Sequence, residues 1–368
     1  MLRWPAYPRL YFNQAGSGPA APSVREQVRT VDDELAALGG HSPAGLELAE
    51  RVLSDSRAAM AKSLGLPTDW QTSFCWSATD ALNLIASAVV PRRCRLVASD
   101  QEHPSGLLAL AVQQARGLQI ELVAAEPVAT WPERLAEARR AADLVLASFV
   151  SYQTGWRLPI EHIPPADDAD GLLVVDVSQA LGQLDLRAVW SVADVAVGLG
   201  HKWLHGPLPS GFVLTSPRGR ERLAIARGGW HARTTSRLFQ ADWRSDAARF
   251  EPGSMDVARV AALSAALDHL ADLLSAWARR CVAGYRSRLA EALRRSGRTP
   301  IEGSIDGMLI YLVDRPAREV AAEVARRGGA IVKDLNAPEV SDRIRISICP
   351  LHEEDEIERL CELLLSVS

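Results

Sequence analysis

The sequence predicts an α/β fold with a large domain built on a mostly parallel sheet and a smaller α+β C-terminal domain. Strand-like and helical segments alternate from about residue 20 to residue 240. After an aperiodic stretch at 228–252, a long helical pattern and two further strand-like runs follow. At 368 residues the chain is long enough for two cores. We therefore divide it into an N-terminal segment (1–20), a large domain (21–245) and a C-terminal domain (246–368).

Seven apolar runs predict the strands of the large sheet: 72–76, 95–99, 119–124, 144–150, 172–176, 195–199 and 211–215. Helical patterns lie between them, as at 80–89 and 132–142. The C-terminal domain is predicted to contain one long helix at 257–296, strands at 308–313 and 343–348, and helices at 318–327 and 353–365. Residues 11–19 are rich in turn formers and are expected to lie outside the core.

Composition argues against several classes of function. Apolar residues make up 48% and charged residues 23%, and the net charge of −4 does not suggest a nucleic-acid surface. No apolar run approaches the ~20 residues that span a bilayer, and the N-terminus lacks the apolar run of a signal peptide. Five cysteines without a CxxC pair fit neither a zinc site nor a disulfide framework. We expect a cytoplasmic protein without a membrane or nucleic-acid partner.

Two side chains follow apolar runs at the edge where open α/β sheets bind ligands. Asp176 ends the run 172–176, and Lys202 follows the run 193–200. A carboxylate and a lysine are the pair that pyridoxal phosphate requires. The carboxylate keeps the pyridine nitrogen protonated, and the lysine forms a Schiff base and moves the proton at Cα. Taken separately, Asp176 could begin a turn and Lys202 could lie on the surface.

The residues around this pair make those separate interpretations less favourable. DVSQALG at 176–182 and GHKWLHGP at 200–207 resemble the cofactor signature of the class V aminotransferase family, which includes cysteine desulfurases, isopenicillin N epimerase and cystine C-S lyases. The resemblance implies the fold type I of pyridoxal phosphate enzymes, with Lys202, Asp176 and His103 as catalytic residues. The lyase and epimerase branch is the nearest likeness.

A hydroxyl-rich turn, SATDALN at 77–83, lies between a strand and a helix, where backbone N–H groups can bind phosphate. On its own it would be a plain helix N-cap. The family carries a GATEAxN motif here, which implies that Ala78 and Thr79 contact the cofactor phosphate, although Ser77 replaces the usual glycine. The resemblance also implies that His201 donates to the phosphate. Leu199 stands where relatives often have a hydroxyl.

Three further positions follow from the resemblance. His103, in QEHP at 101–104, would stack on the pyridine ring, although a lone histidine after a strand is more often a loop residue. Gln179 would donate to the phenolic oxygen of the cofactor. RFEPGS at 249–254 matches a motif whose last hydroxyl reaches the phosphate of the neighbouring subunit. Ser254 therefore implies a homodimer with shared active sites.

Recognition of an amino-acid carboxylate favours arginine, whose planar fork binds both oxygens. Arg345, in RIRIS at 343–347, matches the carboxylate-binding arginine of the family. The alternative is an exposed strand arginine paired with a glutamate. Lys333 stands where some relatives have a second arginine, and whether it contributes to carboxylate binding stays open.

These residues fit more than one reaction of a free amino acid. Our first hypothesis is β-elimination that breaks a C–S bond and yields pyruvate and ammonia. The same residues would serve an epimerase or an aminotransferase. A binding module without turnover is a further alternative, but such drift usually loses the lysine or the aspartate. The stretch 328–341 contains no cysteine, so we do not expect the enzyme-bound persulfide of a cysteine desulfurase.

Overall fold

The computed structural model describes Trp4 and residues 8–167, 170–237, 240–337 and 340–367. Its main feature is a seven-stranded sheet, formed by β1 (Gln71–Cys75), β2 (Arg95–Ser99), β3 (Gln119–Val123), β4 (Leu144–Ser148), β5 (Leu172–Asp176), β6 (Val195–Gly198) and β7 (Gly211–Thr215). The strand order is β1-β7-β6-β5-β4-β2-β3. The pairings among β2 to β6 are parallel, whereas β7 is antiparallel to both β6 and β1. The prediction of a mostly parallel sheet is confirmed.

Seven helices belong to the same part of the described chain: α1 (Pro22–Leu38), α2 (Pro43–Leu64), α3 (Ala78–Ala88), α4 (Pro104–Ala111), α5 (Trp131–Ala141), α6 (Arg187–Trp190) and α7 (Pro217–Arg222). A hairpin of β8 (Arg233–Arg237) and β9 (Gln240–Trp243) follows. The strand-like runs end within two residues of the observed strands. They form strands because continuous apolar sequence can be buried on both faces of a sheet, and every residue of β4, β5 and β6 is buried.

The C-terminal part begins with α8 (Val257–Leu267), α9 (Leu270–Leu273) and α10 (Ala276–Arg295). The prediction of one long helix at 257–296 is therefore wrong. Ser275 starts a new helix because its hydroxyl accepts a hydrogen bond from the N–H of Ala278. A three-stranded antiparallel sheet and two helices complete the chain: β10 (Met308–Leu312), α11 (Ala317–Gly328), β11 (Lys333–Ala337), β12 (Val340–Ser347) and α12 (Glu354–Ser366).

The expectation that residues 11–19 lie outside the core is also wrong. Phe12 and Gln14 are fully buried, and the Phe12 ring stacks on His352 with centroids 4.3 Å apart. The backbone of Phe12 donates to Ile331 and accepts from Ser347 at 2.8 and 2.9 Å. A turn-rich segment can be buried when distant parts of the chain satisfy its backbone groups.

Two of the buried cores meet at this segment, which contributes Ala15 to the core of the large sheet and Phe12 to that of the C-terminal part. The buried side chains of α8, including Val260 and Leu263, pack in the core of the large sheet. The second core contains Phe12, the buried side of α10 from Val282 onward, and the small sheet with α11 and α12. The division at residues 20 and 245 stays a proposal. Among the described residues, no helix is long and apolar enough to cross a membrane.

Candidate active site

Six strands of the large sheet end at the same edge. The strands β2 to β6 are parallel, and β1 points the same way because both β1 and β6 are antiparallel to β7. A cavity of about 540 Å³ opens at this edge. Its volume lies within the range of small-molecule sites.

The cavity collects nearly all of the predicted site residues. Among its lining residues are Ala78, Thr79, His103, Asp176, Gln179, His201, Lys202 and Arg345. Lys333 lines it as well. Ser254 does not; it is exposed and lies outside this cavity.

Lys202 has an amine of altered basicity. Burial lowers its pKa to about 8, with Asp176 acting in the opposite direction and Arg345 adding to the decrease. A neutral amine is the nucleophilic form, and at this pKa a substantial fraction is neutral near physiological pH. The cavity therefore presents a lysine suited to attack a carbonyl carbon.

Both cavity histidines are neutral. Burial and the charge of Lys202 lower the pKa of His103 and that of His201 to about 4. The Nδ1 atom of His103 accepts a hydrogen bond from the N–H of Ser105 at 3.1 Å, which assigns the ring proton to Nε2. The ring of His103 lies edge-on to that of Tyr152, with centroids 4.9 Å apart.

Asp176 and Gln179 are held by neighbouring groups. One carboxylate oxygen of Asp176 accepts from the N–H of Ser178 at 2.7 Å. The amide oxygen of Gln179 accepts from the indole N–H of Trp203 at 2.8 Å, and its Nε2 donates to the carbonyl of Ala15 at 3.0 Å. Because an indole can only donate, this contact fixes the orientation of the Gln179 amide. Its second Nε2 proton is the one that could serve a ligand.

The buried N-terminal segment forms one wall of the cavity, through Ala15 and Gly16. Gly18 lies against the lysine turn, where its N–H donates to the carbonyl of His201 at 2.7 Å. A Cβ atom at Gly18 would lie 2.2 Å from the carbonyl oxygen of Lys202. Only glycine permits this close approach, so the segment helps to position Lys202.

The turn before α3 also lines the cavity, through Ser77, Ala78 and Thr79. The Ser77 hydroxyl accepts from the N–H of Asp80 at 3.1 Å, so Ser77 is an N-cap, as its sequence context alone suggested. A Cβ atom at Gly211 would lie 2.5 Å from the backbone of Ser77, so the turn packs tightly against β7. The first N–H groups of any helix lack acceptors within the helix. Those of Ala78 and Thr79 can therefore serve an anion in the cavity.

Arg345 is a buried cation on β12. It is 3% exposed, and its Nη1 donates to the carbonyl of Tyr152 at 3.1 Å. Its Nε has no hydrogen-bond partner, and in the described part of the chain no carboxylate forms an ion pair with it. Burial lowers its pKa to about 10. The alternative of an exposed arginine paired with a glutamate is therefore wrong. Lys333, opposite Arg345 in the sheet, is partly exposed and pairs with Asp334.

This donor set fits pyridoxal phosphate. Three side chains that line the cavity carry buried atoms without a partner in the described structure: His201 Nδ1, Ser178 Oγ and Arg345 Nε. Buried polar atoms of this kind usually have a partner, and a polar ligand in the cavity would supply one. The α3 turn and His201 suit a phosphate, Asp176 suits a protonated ring nitrogen, and Lys202 suits an aldehyde.

Several lining residues, including Ser148 and Tyr152, have no role that the sequence predicts. Ser148 had a usable signal, because it is the last residue of β4 and lies opposite Asp176 of β5 in the sheet. We had placed the end of that strand at residue 150 and so did not recognise Ser148 as a strand-end residue. Tyr152 lies in the loop that follows, and no local pattern distinguishes it.

Comparison with known proteins finds relatives over most of the chain. The family model for class V aminotransferases matches residues 10–306. A probable cysteine desulfurase of Methanothermobacter thermautotrophicus is 26% identical over 270 residues, which cover 71% of this chain and 66% of the relative. The isopenicillin N epimerase of Amycolatopsis lactamdurans is 32% identical over 174 residues, covering 44% and 43%. The chain thus spans at most about two thirds of these relatives.

Solved structures share the fold over nearly the whole chain. A cystine C-S lyase, in complex with its product cysteine persulfide, has a TM-score of 0.86 at 20% identity and covers 98% of both chains. The cysteine desulfurase of Thermococcus onnurineus has a TM-score of 0.83 at 18% identity, covering 97% of this chain and 94% of its own. The architecture is that of the fold type I enzymes.

Proposed function

Since the chain belongs to the class V aminotransferase family of pyridoxal phosphate-dependent enzymes, we propose that it cleaves the bond between Cβ and sulfur in a free amino acid. The observation that carries this proposal is Arg345, a buried guanidinium without a carboxylate partner in the described chain. It lines the same cavity as Lys202 and Asp176. A cation of this kind provides a binding site for a substrate carboxylate beside the reactive lysine.

When bound, the cofactor would supply an electron sink for the bonding electrons released at Cα. Asp176 would hold the proton on its ring nitrogen, and Gln179 would donate to its phenolic oxygen. The first turn of α3 and His201 would bind the phosphate. Lys202 would hold the cofactor covalently, and its neutral amine would take the Cα proton of the substrate. His103 would restrain the tilt of the ring.

The sulfur substituent would then leave from Cβ. The overall reaction consumes water and gives pyruvate, ammonia and a thiol, or a persulfide when the substrate is a disulfide. Names of related proteins support this choice, because one solved structure is a cystine C-S lyase and one relative is a probable cysteine desulfurase. The alternative is epimerisation at Cα, which the isopenicillin N epimerase relatives favour.

One experiment separates these functions. The loaded protein is mixed with a panel that includes L-cystine and L-cysteine while absorbance, pyruvate, sulfide, keto acids and exchange of the Cα proton are measured. Pyruvate formed together with released sulfur supports the lyase. Cα exchange with inversion and no pyruvate supports the epimerase, and a keto acid of the intact substrate supports transamination. A lack of any spectral change with the whole panel would refute an enzymatic role.

We expect Arg345→Ala to weaken substrate binding by about 2–5 kcal/mol, because truncation removes the partner of the substrate carboxylate. Steady-state kinetics would show this as a raised KM. Arg343→Ala is the matched control, since Arg343 lies on the same strand, donates to the carbonyl of Gln153 and is not among the cavity-lining residues. An amino-acid amide, which lacks the carboxylate, should bind the wild-type protein more weakly than the amino acid does. Arg345→Ala should show no such difference. If the KM of Arg345→Ala is unchanged, Lys333 becomes the candidate for binding the substrate carboxylate.

We also expect turnover without an enzyme-bound persulfide. All five cysteines lie in the described chain, where they form no disulfide, and none of them lines the cavity. Burial raises the pKa of Cys75, which makes its thiol a poor nucleophile. Alkylation and mass mapping during turnover of L-cysteine should find no cysteine carrying extra sulfur, and the product should be pyruvate. Formation of alanine, together with an enzyme cysteine that carries extra sulfur, would contradict this expectation.

We further propose that the active protein is a homodimer in the cytoplasm, with Ser254 completing the phosphate site of the neighbouring subunit. Ser254 is exposed, as such a role requires. Trp76, next to the α3 turn, is also 52% exposed, and Trp230 is 75% exposed. Large aromatic side chains at a surface are typical of interfaces. The lack of disulfide bonds among the described cysteines fits a reducing compartment.

A further inference from the structure

Glu102 is a buried carboxyl group to which the proposed mechanism gives no role. Its side chain is 3% exposed. Oε1 accepts a hydrogen bond from the N–H of Ser148 at 2.6 Å, and Oε2 lies 2.7 Å from the Ser148 hydroxyl. One serine thus provides both of its hydrogen-bond partners.

The charges around Glu102 are negative. In the described structure it forms no ion pair, and the charged groups that act on it are Asp176 and Asp100, both of which oppose its ionisation. The adjacent His103 is neutral. A buried carboxylate without a cation is unfavourable, so this environment stabilises the neutral acid. Burial raises the pKa of Glu102 to about 8.

Ser148 connects Glu102 to the cavity. It lines the cavity, and its backbone lies opposite Asp176 on the neighbouring strand. The neutral acid can donate its own proton to the Ser148 oxygen, which frees the serine hydroxyl to donate into the cavity. The ionised acid can only accept, so the serine hydroxyl turns toward Glu102 and presents lone pairs to the cavity.

Building on the proposed cofactor function, we propose that Glu102 is a positioning residue that controls whether the Ser148 hydroxyl donates or accepts a hydrogen bond in the cofactor cavity. In the donor state, Ser148 adds a hydrogen bond for an electron-rich atom beside the Asp176 site. In the acceptor state, the Ser148 oxygen accepts a hydrogen bond from a proton at the same place. The change between the two states requires only the loss of one proton from Glu102 to solvent.

The first test uses cofactor-free protein, so its outcome does not depend on the proposed function. Infrared difference spectra across neutral to alkaline pH should show the carbonyl stretch of a protonated carboxyl group disappearing with a midpoint of about 8. Glu102→Gln should lack this signal. Asp143→Asn should retain it, because Asp143 is a buried carboxylate at the opposite end of β4, bonded to the N–H groups of Arg92 and Arg93. An unchanged signal in Glu102→Gln would overturn the proposal.

The second test uses the absorbance of the bound cofactor. Glutamine can donate to the Ser148 oxygen and still accept from its N–H, so Glu102→Gln holds the donor state at every pH. In the wild-type protein, the absorbance of the bound cofactor should change in two steps as the pH is raised. Glu102→Gln should lose the step with a midpoint of about 8. Ser148→Ala should lose the same step, and because Glu102 acts through Ser148, the double variant should match Ser148→Ala. The proposal fails if both steps persist in Ser148→Ala, or if the effects of the two substitutions on the absorbance add in the double variant.

Discussion

Lys202→Ala is expected to abolish covalent retention of the cofactor and to reduce turnover by at least about 10³-fold. The variant removes both the amine that binds the cofactor and the base that takes the Cα proton. The fold should persist, because a lysine contributes little to core burial. The measurement is borohydride reduction followed by peptide mass mapping, together with initial rates and a thermal unfolding curve.

The chain offers sharp controls for this experiment. It contains only three lysines, Lys62, Lys202 and Lys333. Lys62 is exposed on α2, whereas Lys333 lines the same cavity as Lys202. Lys62→Ala and Lys333→Ala should both retain the reduced cofactor on Lys202. A cofactor label on Lys333, or wild-type rates in Lys202→Ala, would remove Lys202 from its assigned role.

The sequence was sufficient to predict the family, the mostly parallel sheet and the meeting of Asp176 and Lys202 at its edge. Asp176 and Lys202 follow apolar runs, and in parallel strands such positions converge whatever the details of packing. The family prediction is confirmed by the match over residues 10–306. The local sequence pattern was informative because the position of each of these residues is set by the strand that ends at or before it.

The features that the sequence did not predict depend on contacts between distant parts of the chain. Residues 11–18 resemble a loop, but their backbone groups bond to Ile331, Ser347 and His201. Glu102 is significant only because it meets Ser148, 46 positions later. The lack of a carboxylate beside Arg345 in the described structure could not be predicted either, since the C-terminal sequence contains many acidic residues. Hydrophobic periodicity identifies buried elements, but it does not specify which polar side chains meet between them.

Asp176→Asn is expected to retain the cofactor but to lose about 10²–10⁴-fold in turnover, the usual range for a group that positions a proton. The asparagine carbonyl can still accept from the N–H of Ser178, which directs its NH₂ group toward the ring nitrogen. A donor at that position opposes protonation of the nitrogen, which the carboxylate favours. Cofactor content and kcat are the quantities to measure.

Reconstitution with a cofactor methylated on its ring nitrogen distinguishes this role from a structural one, because the methyl group fixes the positive charge on the ring. This analogue should restore part of the turnover lost in Asp176→Asn, whereas Lys202→Ala should stay inactive with it. Asp143→Asn, which alters a buried carboxylate at the far end of the sheet, should keep its turnover with the normal cofactor. If Asp176→Asn works at wild-type rates with the normal cofactor, or gains nothing from the methylated one, Asp176 does not hold the ring proton.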